Sequence, residues 1–367
     1  MIEKKKIIFI VNPISGTQNK EAILKLIDQH IDRTVLDPVI VKTEYAGHAF
    51  NIAREAVDNK VPFVVAIGGD GTINEIGRAL VHSDTALGII PCGSGNGLAR
   101  HLHIPMDYLK AIKVINNMHT RLIDYGTIAG HPFFCTCGVG FDAFVSLKFA
   151  DSGKRGLVSY LENTLHESLY YKPETYEIEN SSGTVKYKAF LIACGNASQY
   201  GNNAYIAPQA SLSDGMMDIT ILEPFTVLDV PALSFQLFNR TIDQNSHIKT
   251  MKDKKITIRR KTEGVFHFDG DPMMGPKDLI VEIIPSALNV IAMPKPQKPV
   301  PEKYVPFNIL QHITDFIESQ PITTTIVEKH KQLIKMNNNI LRRFGNGNNS
   351  GNGTKKGNNK DRITDEP

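Results

Sequence analysis

The sequence predicts two domains of different class: an α/β domain built on a parallel sheet with helices on both faces, then a mostly antiparallel β domain. Three observations predict it. Apolar strand-like runs alternate with amphipathic helical stretches up to Ile90. From about Thr120 the runs become strand-like with little helix between them. Three polar, glycine-bearing turns, Asn12–Gly16, Gly68–Asn74 and Gly93–Gly97, each follow a strand of the first half. That is the edge at which open α/β sheets bind ligands.

Ile7–Val11 is a continuous apolar run stopped by Asn12-Pro13, as a strand buried on both faces would be. Glu21–Ile31 carries Ile23, Leu24, Ile27 and Ile31 at helical spacing. Val39–Val41 reads as a second strand and Ala49–Val57 as a second helix. Phe63–Ile67 is a third strand, Ile73–Val81 a third helix, and Ala86–Ile90 a fourth strand. This β-α-β order implies parallel pairing. Arg121–Ile128, Phe133–Cys137, Thr175–Ile178, Lys186–Cys194, Met217–Leu222, Lys255–Arg260 and Leu279–Ile284 are the strands expected of the second domain, interrupted by a helical span over Phe141–Tyr170. A stiff proline-rich linker begins at Pro294. No internal repeat occurs.

The chain has 367 residues, with 41 Lys and Arg against 38 Asp and Glu, a net charge of +3. That near balance gives no reason to expect a nucleic-acid partner. Hydrophobic residues at 41% and charged residues at 22% exclude wholesale disorder. No apolar run reaches the ~18 residues of a spanning helix. Ile7–Val11 is too short for a signal-peptide core, so a soluble, cytoplasmic chain is expected. Cys92, Cys135, Cys137 and Cys194 lack metal-site spacing, and Cys135 and Cys137 are expected on one face of one strand.

Val64–Thr72 is a buried strand breaking into Gly68-Gly69-Asp70-Gly71-Thr72. Glycines let the backbone approach a ligand, and successive N–H groups ahead of a helix make an anion nest suited to phosphate. Asp70 inside that nest would repel phosphate unless a bridging Mg²⁺ reverses the repulsion. Asp-Gly also suits an ordinary turn. The second turn, Gly93–Gly97, adds weight: two such turns facing one crevice favour a nucleotide. Ser94 there caps the next helix or touches phosphate, with Arg100 and His101 one helical turn further on. Gly138-Val139-Gly140-Phe141-Asp142-Ala143 matches a dinucleotide fingerprint but lies outside the β-α-β region, and no strand with a terminal acid follows at the required distance. No G-x-x-x-x-G-K-[ST] run occurs, which excludes a P-loop enzyme.

Asn12-Pro13-x-Ser15-Gly16, Thr43 with Gly47-His48-Ala49, Gly68 through Glu75, Pro91-x-Gly93-Ser94-Gly95-Asn96, Asp214-Gly215-Met216-Met217-Asp218 and Asp269-Gly270-Asp271 occur in that order. The ordered set resembles the diacylglycerol kinase catalytic-domain family, which includes soluble bacterial lipid kinases, sphingosine kinases and ceramide kinases. The resemblance spans about Lys4–Met293. It implies an ATP- and Mg²⁺-dependent lipid kinase that transfers the γ-phosphoryl group to a primary hydroxyl of a membrane lipid, diacylglycerol or sphingoid-type. It also implies a β-sandwich-like second domain that takes the lipid.

On that resemblance Asn12, Pro13, Ser15, Gly16, Thr43, Gly68, Gly69, Asp70, Gly71, Thr72, Ile73, Asn74, Glu75, Gly93 and Ser94 hold the nucleotide. Asp214 and the main-chain carbonyls of Ser211 and Met216 hold Mg²⁺, tying the second domain to Asp70 through water. Asp269-Gly270-Asp271 stands where the family usually reads Asp-Gly-Glu. Either Asp269 or Asp271 activates the lipid hydroxyl, with Asp70 the third catalytic acid. Asp142 lies where sphingosine kinases place an acid facing the sphingoid head group, an acid that can pair with a substrate ammonium.

The expected boundaries are residues 1–125 for the nucleotide-binding domain, leaving room for 285–300 to return to it, and 126–284 for the lipid-substrate domain. Residues 294–336 form a linker and amphipathic helical extension, and 337–367 a disordered tail. Phe141–Tyr170 is read equally as a cover for acyl chains and as a helix packed on its own core. Such an enzyme meets its lipid by transient peripheral contact with the membrane, and a homodimer is left open. Two alternatives stand beside it: an NAD kinase-like small-molecule kinase, and a non-catalytic nucleotide-binding regulator.

Overall fold

The computed structural model describes residues 3–16, 19–152 and 171–294. The later part of the Phe141–Tyr170 span, the extension and the tail lie outside the described residues. In the first half β1 (Lys5–Val11), α1 (Lys20–His30), β2 (Leu36–Lys42), α2 (His48–Asp58), β3 (Phe63–Gly68), α3 (Asp70–Leu80), β4 (Ala86–Pro91), α4 (Gly97–His101) and α5 (Tyr108–Asn116) follow one another. The four strands run parallel in the order β2-β1-β3-β4. β3 and β4 are buried at every position, which is why both read as unbroken apolar runs. α1 opens where the Asn19 side chain accepts the Glu21 N–H, and α5 where Asp107 accepts the Lys110 N–H.

The second half adds β5 (Thr120–Ile128), β6 (His131–Phe133), β7 (Thr136–Gly140), α6 (Phe141–Ser152), β8 (Glu174–Asn180), β9 (Gly183–Ala189), β10 (Leu191–Gly195), β11 (Met217–Leu222) and α7 (Val230–Phe238). It closes with β12 (Ile248–Asp253), β13 (Lys255–Arg259), β14 (Gly264–Phe268), β15 (Asp271–Gly275) and β16 (Asp278–Ile291). One antiparallel sheet runs β12-β11-β10-β7-β14-β15. The other continues the parallel sheet through β16, β13, β8 and β9, with β5 beside β16 and β6 beside β5. Cys137, Val139, Ile192, Cys194 and Ile219 from one sheet meet Tyr176, Ile178, Ile256, Ile258 and Val281 from the other, the core of a β-sandwich. β16 pairs along β5 and β13, and its far end reaches β4 with Val290 opposite Leu87.

Four sequence expectations are corrected. Phe133–Cys137 is not one strand: the N–H groups of Phe134, Cys135 and Thr136 point to the Asp269 carboxylate and are lost to a ladder. Cys135 consequently packs in the core of the first half and Cys137 in the sandwich, not on one face. Lys186–Cys194 splits at Phe190, because β9 and β10 belong to different sheets. A regular helix, α7, stands among the later strands; Thr226 and Asp229 form a capping box just ahead of it.

Candidate active site

The three glycine turns come together at the carboxyl edge of β1, β3 and β4. Asn12 ends β1 and donates from Nδ2 to Thr72 Oγ1 at 3.0 Å, joining the first turn to the second. Ser15 Oγ donates to the Asn12 carbonyl, and the half-exposed turn is backed by Lys20, whose Nζ donates to the Ser15 carbonyl at 2.7 Å. Gly16 has φ +61°, and a Cβ there would fall 1.9 Å from the Cys92 carbonyl oxygen, so no other residue fits. Thr43 follows β2, with its N–H on the Val11 carbonyl. Glu75 Oε1 accepts the Gly47 N–H at 3.2 Å, fixing the turn into α2. Pro13 and Ser94 are exposed on the rim, while Ile73 is buried in the core and offers a ligand only its backbone.

The second and third turns touch. A Cβ on Gly93 would sit 2.6 Å from Gly69 Cα, and one on Gly95 would sit 2.8 Å from Asp70 Oδ2. Asp70 accepts the Asn96 N–H on Oδ2 and the Gly97 N–H on Oδ1, each at 2.8 Å. Asp70, not Ser94, therefore caps α4. Asn96 closes its own turn, accepting the Gly93 N–H and donating to the Gly93 carbonyl. Burial pushes the Asp70 carboxyl up to about 6; the two amides pull it back, and the charge of Asp269 adds to the rise. The first intrahelical bond of α3 runs from Ile73 N–H to Gly69 O, which leaves the amides ahead of it for a ligand.

The second lobe reaches this loop through the hairpin between β14 and β15. Asp269, at φ +48°, has both oxygens filled. Oδ2 accepts Asn74 Nδ2 at 2.8 Å and Phe134 N–H at 2.9 Å; Oδ1 accepts Cys135 N–H at 2.8 Å and Thr136 N–H at 3.1 Å. Burial pushes its carboxyl up, and these four donors oppose that. Asp271 differs. Its carboxylate is open to solvent on the crevice wall and has no hydrogen bond among the described residues. Partial desolvation raises it first, the charge of Asp269 adds to that, and the guanidinium of Arg78 on α3 opposes it.

Asp142 is buried at the start of α6 and is already engaged. Oδ1 accepts the Ala143 N–H, and Oδ2 accepts the Tyr200 hydroxyl at 3.1 Å and His267 Nε2–H at 3.0 Å. Donors within the protein thus reach both oxygens of the acid that the resemblance sets before a substrate ammonium.

The Asp214 turn depends on a residue that sequence reasoning passed over. Asp124, 1% exposed on β5, accepts the Gly215 N–H on Oδ2 and the Ser286 N–H on Oδ1, each at 2.8 Å. A lone acid inside the apolar run Arg121–Ile128 was the available signal. Asp214 Oδ1 accepts the Met216 N–H, and Oδ2 lies 3.5 Å from Lys252 Nζ, which also pairs with Asp218 at 3.0 Å. No group of three or more His, Cys, Asp or Glu side chains could hold a metal among the described residues. The set of one carboxylate and the Ser211 and Met216 carbonyls is hard oxygen, the chemistry Mg²⁺ takes, with half-exposed Asp214 able to exchange its Lys252 partner.

Residues 6–128 match the diacylglycerol kinase catalytic domain, and residues 135–292 match the YegS C-terminal NAD kinase beta sandwich-like domain. The protein named "Probable lipid kinase YegS-like" from Klebsiella pneumoniae (strain 342) is 31% identical over 276 residues, covering 74% of this chain and 90% of that one. The "Diacylglycerol kinase" of Bacillus subtilis (strain 168) is 27% identical over 272 residues, covering 73% and 90%. A crystal structure of a diacylglycerol kinase from Bacillus anthracis strain Sterne shares the fold at TM-score 0.64 and 21% identity, covering 80% of this chain and 99% of that one. With both lobes matched, and with a relative above 30% identity covered nearly end to end, this chain belongs to the diacylglycerol kinase catalytic-domain family.

Proposed function

We propose that this chain is an ATP-dependent lipid kinase that transfers the γ-phosphoryl group to a primary hydroxyl of a membrane lipid. The observation that carries it is the docking of the Asp269–Asp271 hairpin onto Asn74, which sets an open carboxylate opposite three glycine turns. Phosphates lie against the amides that open α3, with Asn12, Ser15 and Thr43 along the nucleotide. Asp269, with all lone pairs taken, braces the hairpin. Asp271 accepts the hydroxyl proton as the lipid oxygen bonds to the γ-phosphorus and the bond to the ADP oxygen breaks. Phosphoryl transfer asks for positioning and charge neutralisation more than for covalent chemistry, so a single open base beside an anion nest is enough. Asp214 and the carbonyls of Ser211 and Met216 would hold Mg²⁺, whose contribution is to offset phosphate charge and steady the turn.

A lipid acceptor suits the surroundings of Asp271. Met273 and Met274 are exposed on β15, the edge strand that Asp271 begins, and give adaptable apolar surface beside the base. No helix among the described residues is long and apolar enough to cross a membrane, so we assign a transient peripheral encounter with the bilayer. Incubation of the purified chain with labelled ATP and Mg²⁺, together with a panel of extracted lipids and NAD as candidate acceptors, tests the reading. Label in a lipid is expected. Label in none of them contradicts it, and label in NAD instead would favour a small-molecule kinase.

A further inference from the structure

Lys252 stands where the Asp214 turn meets the edge strand β12. Alternation along the ladder puts Asp218 and Thr220 of β11 and Thr250 and Lys252 of β12 on one face, with Asp218 directly opposite Lys252. Lys252 Nζ lies 3.0 Å from Asp218 Oδ2 and 3.5 Å from Asp214 Oδ2, and it donates to the Gln209 carbonyl at 3.4 Å. One ammonium thus neutralises two carboxylates, and one of them is the side chain that would hold Mg²⁺.

The same face borders a cavity of about 170 Å³, whose lining includes Gln209, Asp218, Thr220, Asp243, Thr250 and Lys252. That is ample room for an ammonium group with water. Asp243 sits on the short turn after α7. Gln209 Nε2 donates to its Oδ2 at 3.3 Å, but its Oδ1 is buried with no hydrogen-bond partner among the described residues. A buried carboxylate oxygen left bare is costly, and an ammonium is the group that would satisfy it. Lys252 therefore has two places for its charge, the Asp214 side and the cavity side. An ammonium and a dication cannot share Asp214 Oδ2 at these distances, because like charges so close repel strongly in half-buried surroundings. Loading of Mg²⁺ on Asp214 thus requires Lys252 to move, and the cavity gives it a seat.

We propose that Lys252 is a resident competitor for the metal at the Asp214 turn: its ammonium holds the turn when Mg²⁺ is absent and swings toward Asp243 when Mg²⁺ binds, which keeps the affinity of the turn for Mg²⁺ low. This deepens the Mg²⁺ assignment made above and rests on it. Calorimetric titration of Mg²⁺ alone into the nucleotide-free full chain tests it, in wild type, D214N, K252Q, K252R, D243N and K252Q/D243N. D214N should lose the binding step that identifies this turn. K252Q removes the charge from a half-exposed side chain, keeps a donor for Asp218, and should bind Mg²⁺ about tenfold tighter or more. K252R keeps the charge and should stay within about threefold of wild type. D243N removes the seat and should weaken binding about fivefold, whereas on the K252Q background, with no ammonium to seat, it should change affinity by less than about twofold. A K252Q chain no tighter than wild type, or a K252R chain as tight as K252Q, overturns the competition. Equal losses from D243N on the two backgrounds overturn the movement into the cavity. A titration unchanged in D214N overturns the metal assignment and this proposal with it, while label transfer from ATP to lipid decides the kinase reading separately.

Discussion

Two aspartates two residues apart, Asp269 and Asp271, illustrate what a residue's neighbours decide. The motif narrows the base to this pair, but only the surroundings separate them: four donors, from Asn74 and three consecutive amides, fill Asp269, and Asp271 is open. D269N turns an amide N–H₂ toward those donors. It should lower stability by about 1–3 kcal/mol, whereas D271N should stay within about 0.5 kcal/mol of wild type, read from urea midpoints. Equal midpoints would mean that Asp269 does not brace the hairpin. Asp70 gives a pH signature with opposite signs. Its carboxyl is raised to about 6 from 3.8, so ionising it costs more in the fold than in the unfolded chain. Its contribution makes stability fall as pH rises from about 4 to about 6. The ionised form is the one that accepts Asn96 and Gly97 N–H, so kcat/KM should rise through about pH 6. In D70N the stability slope over that interval should shrink, and activity should be lost at every pH.

At the scale of elements, the turns were the most legible part of the chain. Each is a glycine-bearing turn that follows an apolar strand, and the structure sets them at one sheet edge. Their conformational demands differ and can be measured. Gly16 combines φ +61° with a carbonyl oxygen 1.9 Å from its missing Cβ, while Gly47 has φ +85° and open space. G47A should cost the left-handed strain alone, about 1–2 kcal/mol. G16A should cost clearly more and raise the KM for ATP, and chemical unfolding with ATP titration checks both. The break between β6 and β7 was not legible, because the residue that diverts the Cys135 amide, Asp269, is 134 positions away. The boundary between β9 and β10 was hidden for a related reason. Phe190 belongs to neither ladder, and its N–H goes to Leu222 O while the apolar pattern runs on through it.

Across the whole molecule, the change from parallel to antiparallel character was readable from the loss of helical spacing after Thr120. The way the two halves are joined was not. β16 carries Leu279, Val281 and Ile283 into the sandwich core and Leu288, Val290 and Ile291 into the core of the first half, within one strand. Asp124 couples the same regions, holding Gly215 and Ser286 together from β5. The described halves should therefore unfold as one cooperative unit. L279A and L288A, at fully buried positions in different cores, should each lower one shared calorimetric transition by about 2–5 kcal/mol. Two transitions, each moved by only one of the variants, would show that the halves are independent.

The whole account depends on a carboxylate of the second lobe meeting a nucleotide on the first. The most direct test is the initial rate of label transfer from γ-labelled ATP into diacylglycerol, measured side by side for wild type and D271N. Wild type should label the lipid, and D271N should be slower by about 10²–10⁴-fold in kcat at an unchanged urea midpoint. Equal rates for the two chains would contradict it.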